Sequence, residues 1–262
     1  MAETQIRFDD GAAYERMMGN WSQRAGSIFL DWLAAPLGLK WIDVGCGNGA
    51  FTELLVERCA PALVNGIDPS EAQLDFARKR LTARQAKFDL GDAMVLPFPA
   101  DEFDAATMAL VIPFVPEPIK GVAEMARVVR PGGMVAAYIW DMLGGGFPLD
   151  PIRIEMSAMG LTVVNPPRLE ASRIDVLRDL WTRAGLSEVE TREITVHRTF
   201  PDFEDFWTTS LLAPSMQSVI PATAPNDIEL LKARVRASLP ADATGHITNS
   251  ARANVVKGRV PK

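Results

Sequence analysis

Cysteine and histidine are scarce in this chain, with two of each among 262 residues. Cys46 and Cys59 cannot build the disulfide framework of a small secreted domain, so a reducing compartment, the cytoplasm, is the simplest expectation. No spacing of Cys and His suits a metal ion, and no metal site is expected. Runs of Lys and Arg are missing too, and the formal net charge is -6. That balance argues against electrostatic capture of nucleic acid. No apolar stretch approaches the ~20 residues of a membrane span. Met1 to Gln5 shows no basic stretch leading into an apolar core, so no signal peptide is expected. Internal repeats and low-complexity tracts are also lacking. What is present, 48% hydrophobic and 23% charged residues, suits one large α/β domain or a domain with an added lid.

The most informative stretch is Trp41-Ile42-Asp43-Val44-Gly45-Cys46-Gly47-Asn48-Gly49. An apolar strand ends in an acid, a loop with glycines at alternate positions follows, and a helix-like segment runs from Phe51 to Cys59. Glycines let a backbone turn tightly and approach a ligand closely. Amide N–H groups at the helix start can meet an anionic group, while Asp43 can accept from a cation or a hydroxyl. An amino acid joined to a nucleoside fits this pairing better than a pyrophosphate does. Gly45 to Ala50 also fits the G-x-G-x-x-A variant of the dinucleotide fingerprint, and a plain structural turn is the third reading.

Strand-like and helix-like segments alternate from about residue 38 to 140. Leu39–Val44, Ala62–Ile67, Ala86–Leu90, Phe103–Leu110 and Met134–Trp140 read as strands. Ser70 and Gln73 form a capping-box pattern before a helix carrying Leu74, Ala77 and Leu81. Glu117–Val129 reads as a helix stopped by Arg130-Pro131-Gly132-Gly133. The rhythm predicts an α/β fold with a mostly parallel sheet and helices on both faces. Met142–Leu169 reads as irregular or lid-like. Ser172 and Asn226 are candidate caps of two later helices. Glu188–Arg198 and Ile247–Val255 read as further strands, and Phe203, Phe206 and Trp207 sit at helical spacing.

Four motifs in order give the chain a resemblance. They are Asp43 to Gly49, Gly66-Ile67-Asp68-Pro69-Ser70, Gly91-Asp92-Ala93 with Leu96-Pro97-Phe98, and Arg130-Pro131-Gly132-Gly133; Phe103-Asp104-Ala105-Ala106 agrees as well. The chain resembles the class I, seven-strand S-adenosylmethionine-dependent methyltransferases, in the small-molecule branch of the ubiquinone and menaquinone enzymes. The resemblance implies a Rossmann-like, doubly wound seven-stranded sheet with an α-helical lid. It implies one domain over 1–262, with a cofactor core at about 38–140 and lid segments at about 1–35, 142–170 and 200–240.

The resemblance also implies roles. Gly45, Cys46, Gly47 and Gly49 line the methionine part of S-adenosylmethionine, with S-adenosylhomocysteine as the product. Asp43 helps hold the ammonium, and Asp68, beside Pro69, accepts from the ribose hydroxyls. Asp92 and Ala93 face the adenine, and the Ala109 carbonyl faces the ammonium. Each acid also has a plainer reading, as a turn or cap residue. Cys46 reads as a small packing residue rather than a nucleophile.

The implied activity (EC 2.1.1.-) is methyl transfer to a small apolar or aromatic molecule by in-line displacement. A non-catalytic cofactor-binding protein or partner subunit is the alternative, and a nicotinamide-dependent oxidoreductase is a more distant one. Many relatives place a His shortly after strand four; here Pro113 stands in that region, so no catalytic base is named. Neither His197 nor His246 is expected at the site. Tyr14, Met18 and Trp21 share an approximate helical face and resemble a segment that closes over the cofactor. With Trp207, with Trp140 at the end of strand five and with Asp141 just after it, they are the candidate acceptor wall. The acceptor is the one partner expected, with neither nucleic acid nor membrane. The sequence leaves the oligomeric state open.

Overall fold

The computed structural model describes residues 15–81 and 85–262. Seven strands form one sheet in the order β3-β2-β1-β4-β5-β7-β6. They are β1 (Lys40–Val44), β2 (Leu63–Asp68), β3 (Ala86–Leu90), β4 (Phe103–Ala109), β5 (Val129–Trp140), β6 (Ser187–Phe200) and β7 (Ile247–Arg259). The first five pair in parallel. β7 slots between β5 and β6, antiparallel to both. The order reverses between β1 and β4, and ligands bind at such a switch point, beyond the C-terminal ends of the strands.

Burial explains why the central strands are nearly continuous apolar runs. Trp41 and Ile42, adjacent on β1, are both fully buried but belong to different cores, because successive side chains point to opposite faces. One face is packed by α1 (Asn20–Leu33) and α2 (Ala50–Cys59). Trp21, Ala25, Phe29 and Leu33 recur every four residues and form the buried stripe of α1. The other face is covered by α4 (Pro118–Val128) and α6 (Ile174–Arg183), through Val122, Met125, Leu177 and Trp181. Between them in sequence come α3 (Glu71–Arg80) and α5 (Asp150–Ala158). Three helices, α7 (Phe203–Ser210), α8 (Pro214–Val219) and α9 (Pro225–Ser238), lie between β6 and β7. Their Phe206, Met216 and Leu231 join the same apolar cluster as Phe29 and Tyr138, so these helices share a core with one face of the sheet.

Several boundaries differ from the sequence expectation. β5 starts at Val129 instead of Met134, because Val129 pairs with Phe103 before a register shift. The capping box at Ser70 does not form: its side chain makes no cap bond, and the Ser70 N–H is held instead by Asp68 Oδ1 at 2.9 Å. Ser172 and Asn226 are not caps either, since α6 begins at Ile174 and α9 at Pro225. Ser172 is buried, and its carbonyl accepts from Asn254 Nδ2 at 2.8 Å. Met142–Leu169 contains α5. Among the described residues, no helix is long and apolar enough to cross a membrane.

Candidate functional site

The glycine loop leaves β1 with Gly45, Gly47 and Gly49 all at positive φ (74°, 52° and 79°), where L side chains are strained. Their surroundings separate them. A Cβ on Gly45 would lie 2.5 Å from Val111, and one on Gly49 would lie 3.0 Å from Ala77. Those two glycines let neighbouring elements close in. Among the described residues, a Cβ on Gly47 would meet only Gln73 Oε1, at 3.9 Å. Gly47 therefore borders open space, where a ligand can approach the backbone.

Asp68 locks this loop to the end of β2. Its Oδ2 accepts from Gly47 N–H at 2.9 Å, while Oδ1 holds Ser70 N–H. Burial raises its carboxyl pKa, and the two backbone donors pull it back. Each oxygen keeps lone-pair capacity for another donor. The turn role and a ligand role therefore coexist in one side chain.

Asp43 is completely buried behind the loop. Thr52, on α2, donates to its Oδ2 at 2.7 Å, whereas Oδ1 is buried with no hydrogen-bond partner. Burial pushes the carboxyl up to about 7; the Thr52 bond opposes the rise, the charge of Asp68 adds to it, and the Thr107 hydroxyl also opposes it. A buried acid with one unpaired oxygen is costly unless a cation or donor comes near.

Cys46 is buried against Leu74, Ala77 and Phe88. Burial, reinforced by Asp43 and Asp68, holds its thiol well above the ordinary range. It is a packing residue without thiolate chemistry. Asp92 is exposed, and its Oδ1 accepts from Met94 N–H at 2.8 Å, a local turn. Pro69 is exposed, while Ala93 and Ala109 are partly buried at the same edge of the sheet.

Glu15 and Arg80 carried no sequence signal beyond their charge. Glu15 Oε2 accepts from Asn48 Nδ2 of the glycine loop at 3.3 Å and from Arg80 at 2.5 Å. Arg80 also reaches Glu53 at 3.0 Å. The N-terminal segment is thereby tied across the loop, α2 and α3. Two residues further on, Arg198 of β6 donates to the carbonyls of Arg16 and Met17.

Met17 and Met18 then form one wall of an apolar cavity with about 580 Å³ of empty space, part of it open to solvent. Leu110 and Phe114 follow β4, Ile139 and Trp140 end β5, and Met142 and Phe147 come just after. Val164, Pro166 and Ala213 to Ser215 complete the lining. Among the described lining residues, Ser215 carries the one hydroxyl and none is titratable. Leu110 is held at φ 63°, unusual for a side-chain-bearing residue, with its N–H bonded to Tyr138 O at 2.8 Å.

Of the expected acceptor-wall residues, Met18 and Trp140 line this cavity. Trp21 does not: it sits edge-on behind Trp140, with ring centroids 6.4 Å apart. Trp207 stacks on Phe203 inside the helical core, because that face of α7 has Phe206 and Phe200 to pack against. Asp141 is taken up by Arg252, at 2.5 Å, and by Gly144 N–H, at 3.0 Å. It is a structural anion and is not part of the lining. Tyr14 lies outside the described residues. His197 and His246 are exposed on β6 and before β7 and do not line the cavity. Among the described residues, no group of His, Cys, Asp and Glu is arranged to hold a metal ion.

Comparison with known proteins fits this geometry. Residues 42–137 match the family described as "Methyltransferase domain". The chain is 36% identical over 135 residues to a ubiquinone biosynthesis O-methyltransferase of Aromatoleum aromaticum, covering 46% of this chain and 57% of the relative. It is 35% identical over 131 residues to a demethylmenaquinone methyltransferase of Staphylococcus aureus, covering 49% and 52%. The chain thus spans little more than half the length of these curated relatives. A Haemonchus contortus phosphoethanolamine N-methyltransferase 2, solved with S-adenosyl-L-methionine, shares the fold at 17% identity and a TM-score of 0.60, covering 97% of this chain and 58% of that one. In strand order, glycine loop and these matches, the chain is similar to the class I, seven-strand S-adenosylmethionine-dependent methyltransferases, ubiquinone and menaquinone enzymes among them.

Proposed function

We propose that this protein binds S-adenosylmethionine across the C-terminal ends of β1, β2 and β4 and transfers its methyl group to a small apolar or aromatic molecule in the adjoining cavity. The observation that carries this reading is the junction of two unlike sites. The polar loop touches Val111, the next residue after cavity-lining Leu110. Glu15 rests on that loop while Met17 and Met18 face the cavity.

The residues present fit the cofactor. Gly47 offers an open backbone surface, Asp68 has spare acceptor capacity for the ribose, and Asp43 has a buried oxygen without a partner. Because Asp43 is fully enclosed, its charge would act on an ammonium through Thr52 or a bridging water. Asp92 and Ala93 would border the base, and the Ala109 carbonyl would face the ammonium. When bound, S-adenosylmethionine supplies a methyl group activated by its sulfonium, so transfer is an in-line displacement. The chain's own work is then to align the acceptor ~3–3.5 Å from that carbon and to exclude water. Among the described lining residues no side chain is titratable, so these walls move no proton. An acceptor that must lose one reacts from its ionised form.

A cofactor-binding protein without turnover, or a partner subunit, would show the same loop, and the missing base is the observation on its side. An in-line displacement onto an ionised or carbon nucleophile needs no base, so the enzyme reading is preferred. Calorimetric titration with S-adenosylmethionine and S-adenosylhomocysteine, in wild type and Asp68→Ala, tests the cofactor site. Loss of binding in the variant supports it, and no binding by the folded wild type refutes it. A screen for labelled methyl transfer onto phenolic and quinol acceptors then separates enzyme from binder.

A further inference from the structure

Gly19 is a glycine that its backbone does not require. Its φ of -53° and ψ of -50° are right-handed helical, a region open to any L residue. What it supplies is space: a Cβ there would lie 2.7 Å from the Glu15 carboxyl group. Both residues belong to a π-helical turn, Glu15–Gly19, a rare form that occurs mostly as single turns, often at functional sites. The carboxylate lying over Gly19 is held by two elements of the proposed cofactor edge. Asn48 Nδ2 donates to Glu15 Oε2 at 3.3 Å, and Asn48 is itself fixed because its Oδ1 accepts from Ala50 N–H at 3.2 Å. Arg80, the last residue of α3, donates to the same Glu15 oxygen at 2.5 Å and to Glu53 of α2 at 3.0 Å. The Arg80 side chain is only 12% exposed, so solvent and salt screen these pairs less than an open surface pair. One guanidinium thus serves two carboxylates, and its loss would leave Glu15 and Glu53 as neighbouring like charges.

We propose that Glu15 and Arg80 are positioning residues that couple the two halves of the site: the pair pins the turn Glu15–Gly19 to the glycine loop, and the turn carries Met17 and Met18 into the cavity wall. This rests on the cofactor and acceptor sites of the proposed function and deepens it. The turn is anchored on two sides. Glu15 meets the loop at Asn48, the residue after Gly47, while the carbonyls of Arg16 and Met17 accept from Arg198 on β6. Met17 and Met18, on the same turn, line the cavity. A shift of the loop is therefore passed to two wall residues through one ion pair and one amide. A ligand that holds the loop in place favours the pinned turn, and by linkage the pinned turn favours that ligand. Neither Glu15 nor Arg80 touches the reacting atoms in this role, and no bond or proton is exchanged.

The test uses the whole chain, with S-adenosylhomocysteine as the probe, in wild type, Glu15→Gln, Arg80→Met and Gly19→Ala. Amide hydrogen exchange of residues 15–22, read by mass spectrometry on the ligand-free proteins, reports whether the turn is pinned, and calorimetry reports affinity. All three substitutions are expected to speed exchange in that segment and to weaken S-adenosylhomocysteine by about three- to thirtyfold, since only the pinned fraction binds tightly. Gly19→Ala is the most telling variant. Alanine suits a helical backbone better than glycine does, so its melting temperature should not fall, yet its methyl displaces the Glu15 carboxylate. Arg80→Lys, which keeps the cation but not the fork that serves two carboxylates, should recover part of the loss. Unchanged exchange and affinity in Gly19→Ala, or an affinity loss that merely follows a lower melting temperature, overturns the proposal; this variant carries the test even where Arg80→Met fails to fold. No binding by folded wild type refutes the cofactor reading and this proposal with it, whereas wild-type binding with no response in the variants refutes this proposal alone.

Discussion

The two halves of the site are built by opposite rules. The proposed cofactor edge comes from short sequence-local units: a strand end, a glycine turn and an acid at the tip of the next strand. Its key contacts join Asp68 to Gly47 and Thr52 to Asp43. The cavity beside it is assembled from Met17, Leu110, Trp140, Phe147, Val164 and Ser215, residues drawn from positions 17 to 215. The first region is polar, tightly bonded and turned at three glycines whose positive φ would strain any other residue. The second is apolar and held by packing, with guanidinium groups such as Arg198 fixing its wall from behind. Substitutions at the first region should therefore act on cofactor affinity, and those at the second on the acceptor.

Asp68→Ala should show the largest effect. It removes two charge-assisted bonds to backbone N–H groups, each worth about 1.5–3 kcal/mol. S-adenosylhomocysteine affinity should fall by about a hundredfold or more by calorimetry. An unchanged affinity would show that the loop holds its shape without the acid.

Asp43→Asn separates charge from shape. Burial lifts the native carboxyl from its ordinary 3.8 to about 7. The folded state therefore binds the proton more tightly than the unfolded chain. This group's contribution to stability is complete below about pH 4 and is lost as pH rises through about 7, approaching ~4 kcal/mol as an upper bound. Thermal melts should show Asp43→Asn gaining on wild type between pH 5 and pH 8. Cofactor affinity in wild type should rise over the same interval, as the ionised form meets the ammonium, and should be flat in the variant. The reverse trend in either measurement would separate Asp43 from the ligand.

The glycines sharpen the contrast further. Gly47→Ala enters open space, so its cost is the left-handed backbone alone, about 1 kcal/mol. It should still weaken S-adenosylhomocysteine, because the methyl occupies the approach surface. Gly45→Ala meets Val111 and should lose a further ~1–3 kcal/mol in denaturant melts, since overpacking forces neighbours to shift. Equal stability losses would erase the distinction between packing and approach. The smallest effect belongs to His197→Ala and His246→Ala: methyl transfer, once an acceptor is found, should change by less than about twofold. A large loss would place a base at the site after all.

Much of the polar half could be read from sequence because its geometry is local. Asp43, Gly45 and Gly47 were legible as a strand-end acid and a turn from residue type and spacing, while the ligand role proposed for Asp68 came from the resemblance. Asp92 was legible as a position, while its turn bond to Met94 emerged only from the fold. Trp21, Trp207 and Asp141 show where that reading stops. An aromatic at helical spacing packs equally well against a core or a cavity, and an acid after a strand serves equally well as pocket group or ion-pair partner. Arg252, 111 residues further along, decided the case of Asp141. Glu15 and Arg80 were invisible for the same reason, since their 2.5 Å contact joins positions 65 residues apart.

The sequence by itself determined the alternation of strands and helices, the glycine turn and the acids at strand ends, because backbone conformation and hydrophobic period are local properties. Only the tertiary structure decided which glycine is left uncrowded, which tryptophan lines the cavity, and that none of the described lining residues is a base. Those are properties of burial and pairing, and they exist only once distant segments have come together.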